Sequence, residues 1–301
     1  MNRAALIGAI LHPIGIFCSI LVLLSIIGFA IIDRKLASRM TVRLIAAIAL
    51  ADLLSHTAEL YAAWNGRLDL HTSLCHKVNG VRLFGRTFYA FTNLAICFHL
   101  YRSLVQLKKS TWKFEIYTYI ITAAMTGIFT LIYWSLGAFS GVERKVGCNP
   151  GADNLTLNSV FYAIAGLVDL AAIVGGIFIT VAGHRNLNKW INVYSATLTQ
   201  GANNQEQLIK DRRKLALRSF LYPLSTCITL PFECIFLILN AANIFVLELG
   251  TVMAVTIGIS GLLTGIAFSV DPATHIAFKS AYYQLKYANS DKDIPEELYM
   301  S

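Results

Sequence analysis

Charged residues are scarce in this chain. They make up 14% of its 301 residues, whereas hydrophobic residues make up 56%. A soluble domain usually carries about 25% charged residues, so the composition excludes an ordinary water-soluble fold. The sequence also lacks an internal repeat, a heptad array and a low-complexity tract. These absences leave no basis for a repeat protein or a coiled coil.

Long apolar stretches are present instead. The stretch from Ala4 to Ile32 is mostly apolar and contains no Lys, Arg, Asp or Glu, whereas the strands of a membrane β-barrel alternate over segments of about 10 residues. About 20 mostly apolar residues cross the hydrocarbon core as a helix. We therefore predict an all-α integral membrane protein whose residues 1–287 form a seven-transmembrane-helix bundle. The predicted spans cover residues 5–32, 43–63, 78–106, 115–138, 158–183, 215–240 and 248–270.

A shorter amphipathic segment follows the seventh span. From Phe278 to Tyr287 the apolar and aromatic residues fall near helical spacing, and Lys279 and Lys286 can reach lipid headgroups. This pattern predicts a short interfacial eighth helix over residues 274–287. The acidic, polar residues 288–301 are predicted to form a disordered cytoplasmic tail.

Lysine and arginine fall mostly on one side of the predicted spans. With the N-terminus outside, eighteen of the 25 basic residues lie in inner loops and the tail, and five lie outside. This asymmetry matches the positive-inside rule. We therefore predict a multi-pass plasma-membrane protein with a cytoplasmic C-terminus. The net charge of +8 attracts anionic membrane lipid and does not indicate a nucleic-acid partner.

Two of the six cysteines fall at predicted outer positions. They are Cys75, at the mouth of the third span, and Cys148, in the second outer loop. Because both face an oxidising compartment, we predict a disulfide that pins the loop over the bundle. The same loop contains the only Asn-x-Ser/Thr sequon, at Asn154, so Asn154 is a candidate glycosylation site.

Short motifs in three spans resemble those of one receptor family. The second span carries Leu-Ala-Asp ending at Asp52, the sixth contains Pro231, and the seventh ends at Asp271-Pro272. Together with seven spans, these motifs resemble the rhodopsin-like G protein-coupled receptors, as a divergent member. The additional Tyr222-Pro223 is similar to fungal nutrient-sensing and cyclic-AMP-receptor-like members.

The resemblance implies an extracellular small-molecule ligand, a heterotrimeric G protein as partner and a conformational switch between them. The implied switch residues are Asp52, Tyr101, Arg102, Pro231, Asp271 and Pro272. The implied coupling surface is the basic segment Lys210, Arg212, Arg213, Lys214 and Arg218.

Two parts of this switch leave alternatives open. In the family, the position of Asp52 binds a sodium ion, whereas the alternative is a protonated structural aspartate bonded to a neighbouring helix. The end of the third helix reads His99-Leu100-Tyr101-Arg102, which puts the arginine two residues beyond its family position. Either the helix is longer or the arginine contact is rearranged.

Charged side chains inside the predicted spans are candidates for ligand binding, because an ionisable group in a membrane is costly. They are Arg82, Arg86, Glu59, Asp169 and Glu233. The two arginines are four residues apart and share a helix face. Either they bind an anionic or zwitterionic ligand, or they form interhelical ion pairs with the three acids.

Other function classes find less support in the sequence. His12, His56 and His99 are predicted to lie at different depths without ligand spacing, and to make interhelical hydrogen bonds. No nucleophile motif or phosphate loop occurs, so we expect neither an enzyme nor a cofactor or metal centre. A retinal pigment is excluded because residues 249–270 contain no lysine.

A small-molecule membrane transporter is the alternative function. Gly175-Gly176 in the fifth span and Gly258, Gly261 and Gly265 in the seventh could mark broken helices of the kind that carriers use. No matching positions occur in the first half of the chain. We therefore expect the glycines of the seventh span to allow close helix packing instead.

Overall fold

The computed structural model describes residues 3–65, 68–106, 108, 110–143, 148–197 and 221–287, and these residues contain helices and no strand. The helices are α1 (Arg3–Ile32), α2 (Arg34–Ala37), α3 (Met40–Trp64), α4 (Ser73–Leu100), α5 (Trp112–Ser135), α6 (Leu155–Thr197), α7 (Leu221–Ala241), α8 (Leu247–Gly258), α9 (Ser260–Val270) and α10 (Pro272–Tyr287). The predicted tail, residues 288–301, lies outside the described residues.

Six helical segments are long and apolar enough to cross a membrane. They are Leu6–Ile32, Met40–Trp64, Trp112–Ser135, Leu155–Asn186, Leu221–Ala241 and Leu247–Val270, the last of which combines α8 and α9. These segments coincide with six of the seven predicted spans. They confirm an all-helical multi-pass membrane protein.

The bundle exposes apolar side chains and buries polar ones. On α1, Phe17 and Ile31 are 62% and 80% exposed, whereas Asp52 and His56 on α3 are 2% and 0% exposed. A soluble protein rarely exposes so continuous an apolar surface. The distribution suits hydrocarbon outside and hydrogen-bonded polar groups inside.

The third predicted span is a helix, but it is not among the six apolar segments. α4 begins at Ser73, earlier than predicted, because Thr72 caps it by accepting a hydrogen bond from the backbone N–H of Cys75 at 3.2 Å. Polar and charged residues such as Arg82 and Arg86 lower its hydropathy. These side chains are tolerated because α4 packs against α3, α5, α6 and α7 and is enclosed by them.

Glycines bring α1 close to α8 and α9. A Cβ added to Gly261 would lie 2.7 Å from the carbonyl oxygen of Gly15, and one added to Gly258 would lie 2.7 Å from the Cβ of Leu11. Backbone atoms at this distance leave no room for a side chain. The predicted close packing of these glycines is confirmed.

The chain turns at Asp271, between α9 and α10. Asp271 has extended backbone angles, and its Oδ2 accepts a hydrogen bond from the N–H of Thr274 at 3.3 Å, which caps α10. Ala277 and Ala281 are buried, and the ring of Phe278 lies 4.7 Å from that of Phe29 on α1. Residues 272–287 are therefore helical and pack against α1, whereas a place in the membrane interface as an eighth helix stays a prediction.

Candidate ligand-binding site

A disulfide joins Cys75 to Cys148, with the two Cα atoms 5.8 Å apart. It anchors the segment before α6 to the first turn of α4. The Nδ2 of Asn79 supports this junction by donating to the carbonyl oxygen of Phe139 at 3.1 Å. The predicted disulfide is confirmed.

A cavity of about 680 Å³ lies beside this junction. Its volume is typical of sites for small molecules. The anchored segment contributes Asn149 and Pro150 to the wall. Helices α6 and α7 contribute aromatic and amide side chains such as Phe161, Phe236 and Asn240. The charged residues that line the cavity are Glu59, Arg82, Arg86 and Glu233. Four of the five residues predicted to bind a ligand thus come together in this main cavity.

Both terminal nitrogens of Arg82 donate hydrogen bonds to protein groups. Its Nη2 donates to Glu59 Oε2 at 2.7 Å, and its Nη1 donates to the carbonyl oxygen of Cys148 at 3.2 Å and to Asn79 Oδ1 at 3.3 Å. These contacts tie α4 to α3 and to the disulfide-anchored segment. Arg82 therefore has a structural part in the site.

Arg86 lies one helical turn further along α4 and has fewer contacts. Its Nη2 donates to Glu233 Oε2 on α7 at 2.6 Å, and its Nη1 lies 3.8 Å from Glu59 Oε1. The interhelical ion pairs expected for Glu59 and Glu233 are therefore present. Arg86 is the more available guanidinium for an incoming anion.

The third predicted acid, Asp169, is 8% exposed on α6. Among the described residues that line the main cavity, Asp169 does not appear. Its charge nevertheless acts on Glu233, which is its electrostatic neighbour. The cavity lining itself holds two arginines and two acids, so it carries no surplus of positive charge when all four are ionised.

A second polar network centres on Asp52. Ser260 Oγ donates to Asp52 Oδ1 at 2.8 Å, and Thr264 Oγ1 donates to Asp52 Oδ2 at 2.7 Å, so that α3 is joined to α9. Asp271, the other acid among the implied switch residues, lies about two turns, or roughly 10 Å, beyond Thr264 along the helix axis.

A small cavity of about 20 Å³ adjoins this network. Asp52, Ser55 and Ser260 line it, and so do Arg86 and Glu233 from the main cavity. The resemblance implies a sodium ion at Asp52, but the guanidinium of Arg86 opposes a cation here. Both carboxylate oxygens of Asp52 already accept hydroxyl donors. The geometry suits a water molecule or a proton better than a sodium ion.

His12 and His56 are hydrogen-bonded to each other, Nδ1 to Nδ1 at 2.9 Å. The prediction that they lie at different depths was therefore wrong, because it relied on approximate span boundaries. The prediction of interhelical hydrogen bonds is confirmed for this pair. It is also confirmed for His99, whose Nε2 lies 3.3 Å from Thr41 Oγ1.

The C-terminal end of α4 continues as a π-helical turn, Tyr101–Val105. A π turn accommodates an extra residue and redirects the side chains that follow. The guanidinium of Arg102 stacks on Phe114 of α5, 4.1 Å from the ring centroid. The helical course therefore continues to Val105, and Arg102 contacts Phe114; the choice between the two alternatives raised by the sequence stays open.

Hydrogen bonds connect α7 to α4 on the N-terminal side of Pro231. Thr226 Oγ1 donates to Asn93 Oδ1 at 2.7 Å, and Thr229 Oγ1 lies 3.3 Å from the hydroxyl of Tyr89. Pro231 lies inside α7 and cannot donate to the carbonyl four residues earlier. The sequence analysis missed these partners, although hydroxyl and amide side chains within apolar helices are the signal that could have found them.

Two further predicted sites have different outcomes. Asn154 is exposed, and its Oδ1 accepts hydrogen bonds from the N–H groups of Thr156 at 3.0 Å and Leu157 at 3.2 Å, at the start of α6. The five basic residues expected to contact a G protein lie outside the described residues.

Comparison with known proteins did not identify a related protein. No protein-family model matches this chain, and no curated protein matches it either.

Proposed function

We propose that the chain is a seven-helix membrane receptor for an extracellular small molecule, with heterotrimeric G protein as its partner. The main support for this proposal is that the main cavity brings Glu59, Arg82, Arg86 and Glu233 together beside a disulfide-anchored segment. In this proposal α4 is the third membrane span, enclosed by its neighbours. The N-terminus is outside the plasma membrane, the C-terminus is cytoplasmic, α10 lies in the interface, and Asn154 is glycosylated.

The charge balance of the cavity favours a zwitterionic ligand. Its anionic group would compete with Glu233 for Arg86, and its cationic group would take the place of Arg86 beside the released carboxylate. A purely anionic ligand would leave that carboxylate unpaired, which is costly in a low-dielectric site. An amino acid or a molecule of similar chemistry satisfies both requirements.

Release of Glu233 supplies a route for the signal. Glu233 follows Pro231 by two residues on α7, so the ion pair with Arg86 holds this helix near its weakest point. A ligand that breaks the pair favours the arrangement in which α7 has moved, because it binds that arrangement more tightly. The hydrogen bond between Thr226 and Asn93 would open, and the basic segment from Lys210 to Arg218 would meet the G protein.

Guanine-nucleotide exchange tests this proposal. Purified protein in lipid nanodiscs with a heterotrimeric G protein is screened against zwitterionic, anionic and cationic small molecules. We expect a zwitterion to stimulate exchange, and Arg86→Gln to abolish the response per mole of folded protein. Arg34→Gln, at an exposed position on α2, is the matched control. A response that Arg86→Gln leaves unchanged would contradict the assigned site.

A transporter is the second candidate, supported by the interruption of the last apolar segment. α8 ends at Gly258 and α9 begins at Ser260, beside Asp52, and carriers place broken helices at substrate sites. Substrate flux in proteoliposomes without G protein separates the two candidates. Flux that Arg86→Gln abolishes, without any stimulated nucleotide exchange, would replace the receptor proposal.

A further inference from the structure

The buried histidine pair has a defined proton arrangement. His12 is 5% exposed on α1 and His56 is 0% exposed on α3, and their Nδ1 atoms are 2.9 Å apart. Two nitrogens at this distance form a hydrogen bond only if one carries a proton and the other does not. The neighbours of His56 determine which nitrogen carries it.

The backbone N–H of Gly261 donates to His56 Nε2 at 3.2 Å. In the neutral ring, Nε2 is therefore the acceptor and Nδ1 carries the proton. His56 Nδ1 then donates to His12 Nδ1, and His12 holds its own proton on Nε2. This assignment follows from the hydrogen-bond partners.

Ser260 connects the histidine pair to Asp52. Its Oγ lies 2.8 Å from Asp52 Oδ1 and 3.2 Å from His56 Nε2. When Asp52 is protonated, the acid can donate to Ser260, and the Ser260 hydroxyl can donate to His56. If both protons move one place, Asp52 becomes ionised and His56 becomes an imidazolium. The proton changes site through the hydroxyl, and only the Gly261 N–H loses its acceptor.

The small cavity links this chain of groups to the main cavity. Arg86 and Glu233 line both cavities, whereas Asp52 and Ser260 line the small one. Its volume of about 20 Å³ accommodates about one water molecule. Ser55 Oγ is buried there without a hydrogen-bond partner among the described residues, and such a water would supply one.

We propose that Asp52, Ser260, His56 and His12 form a proton-binding site that takes up one exchangeable proton through the main cavity. The charged and titratable groups that face it are Glu59 on α3, Arg82, Arg86 and Tyr89 on α4, and Glu233 on α7. Intramembrane chains of acids and histidines are the usual means of binding or relaying protons. The site does not depend on the proposed signalling function.

Nitrogen NMR of histidine tests this site directly. The full chain is labelled with ¹⁵N-histidine, placed in nanodiscs and titrated from about pH 8 to about pH 5, the range in which histidine changes charge. We expect two coupled signals, one of them from an Nδ1-protonated ring. As the pair takes up one proton, one ring should become doubly protonated while the other stays neutral. His12→Gln should remove both from their positions, whereas His275→Gln, at an exposed position on α10, should leave them intact.

Two further variants test the link to the carboxylate. Asp52→Asn and Ser260→Ala should each shift the pH at which the pair takes up its proton, because the first removes the alternative proton site and the second removes the connection. If the pair stays neutral over the whole range, it is a structural hydrogen bond only. If it titrates identically in both variants, Asp52 does not share its proton. Either result overturns the proposal, and neither requires a ligand or a G protein.

Discussion

At the scale of single residues, Glu59 joins both arginines of the main cavity. Its two oxygens lie 2.7 Å from Arg82 and 3.8 Å from Arg86, and Glu233 holds Arg86 from the other side. The side chains of the Arg86–Glu233 pair are 20% and 9% exposed. Removing one partner of such a pair leaves an uncompensated charge in a poorly solvated site.

Arg86→Met should therefore lower the free energy of unfolding by about 3–5 kcal/mol. The double variant Arg86→Met with Glu233→Gln should recover part of that loss, because no unpaired carboxylate remains at that position. Thermal unfolding of the purified variants measures both. Losses that are simply additive would show that the two side chains are not energetically coupled.

At the scale of helices, contact between α1 and α9 depends on the absence of two side chains. Gly15 and Gly261 face each other across this contact, and a Cβ on Gly15 would lie 2.5 Å from His56 Nε2. The glycines thus make room both for the helix crossing and for the buried imidazole. Close approach of small residues is a common basis of helix association in membranes.

Gly261→Ala should destabilise the bundle, because the added methyl group meets backbone atoms that cannot move aside. Gly127→Ala is the matched control, since a Cβ at Gly127 meets nothing within 4 Å. In a helix, the control substitution is expected to be neutral or to stabilise by about 0.5–1 kcal/mol. The melting temperatures of the two variants in detergent are compared, and that of Gly261→Ala should be the lower. A Gly261→Ala protein as stable as the control would show that the α1–α9 contact is looser than described.

At the scale of the whole molecule, apolar side chains face outward and the polar networks lie inside. This arrangement requires a bilayer, but it does not by itself set the direction of insertion. The proposed direction rests on the excess of basic residues in the predicted inner loops and on the positive-inside rule. In the proposed topology, the disulfide and the sequon at Asn154 lie on the side opposite that excess.

Epitopes added at the two ends of the full chain should lie on opposite faces of the cell. We expect antibody to reach the N-terminal epitope on intact cells and the C-terminal epitope only after permeabilisation. Asn154→Gln should also remove any mobility shift produced by a glycosidase. Both epitopes on one face would contradict the proposed odd number of spans.

Much of the fold could be predicted because it depends on local composition. Apolar runs such as residues 4–32 predict helices without reference to other parts of the chain. The disulfide was predictable because Cys75 and Cys148 were the two cysteines outside the apolar runs. The ends of the helices were harder to predict from the sequence, because a cap such as Thr72 or a π turn after Leu100 depends on a few local contacts.

The pairings inside the bundle were not predictable to the same degree. Sequence spacing placed Arg82 and Arg86 on one face, but it could not decide which acid each would meet. His12 and His56 are 44 residues apart, and their contact depends on how closely two helices cross. That crossing is controlled by glycines at positions whose partners no spacing rule identifies.

The wall segment before α6 is attached to α4 in two chemically different ways. One is the bond between Cys75 and Cys148, and the other is the hydrogen bond from Arg82 to the carbonyl oxygen of Cys148. A thiol reductant cuts the first without touching the second, and loss of the guanidinium does the reverse. The cavity wall at Cys148 is thus held by two independent contacts, and reduction of the disulfide leaves the hydrogen bond in place.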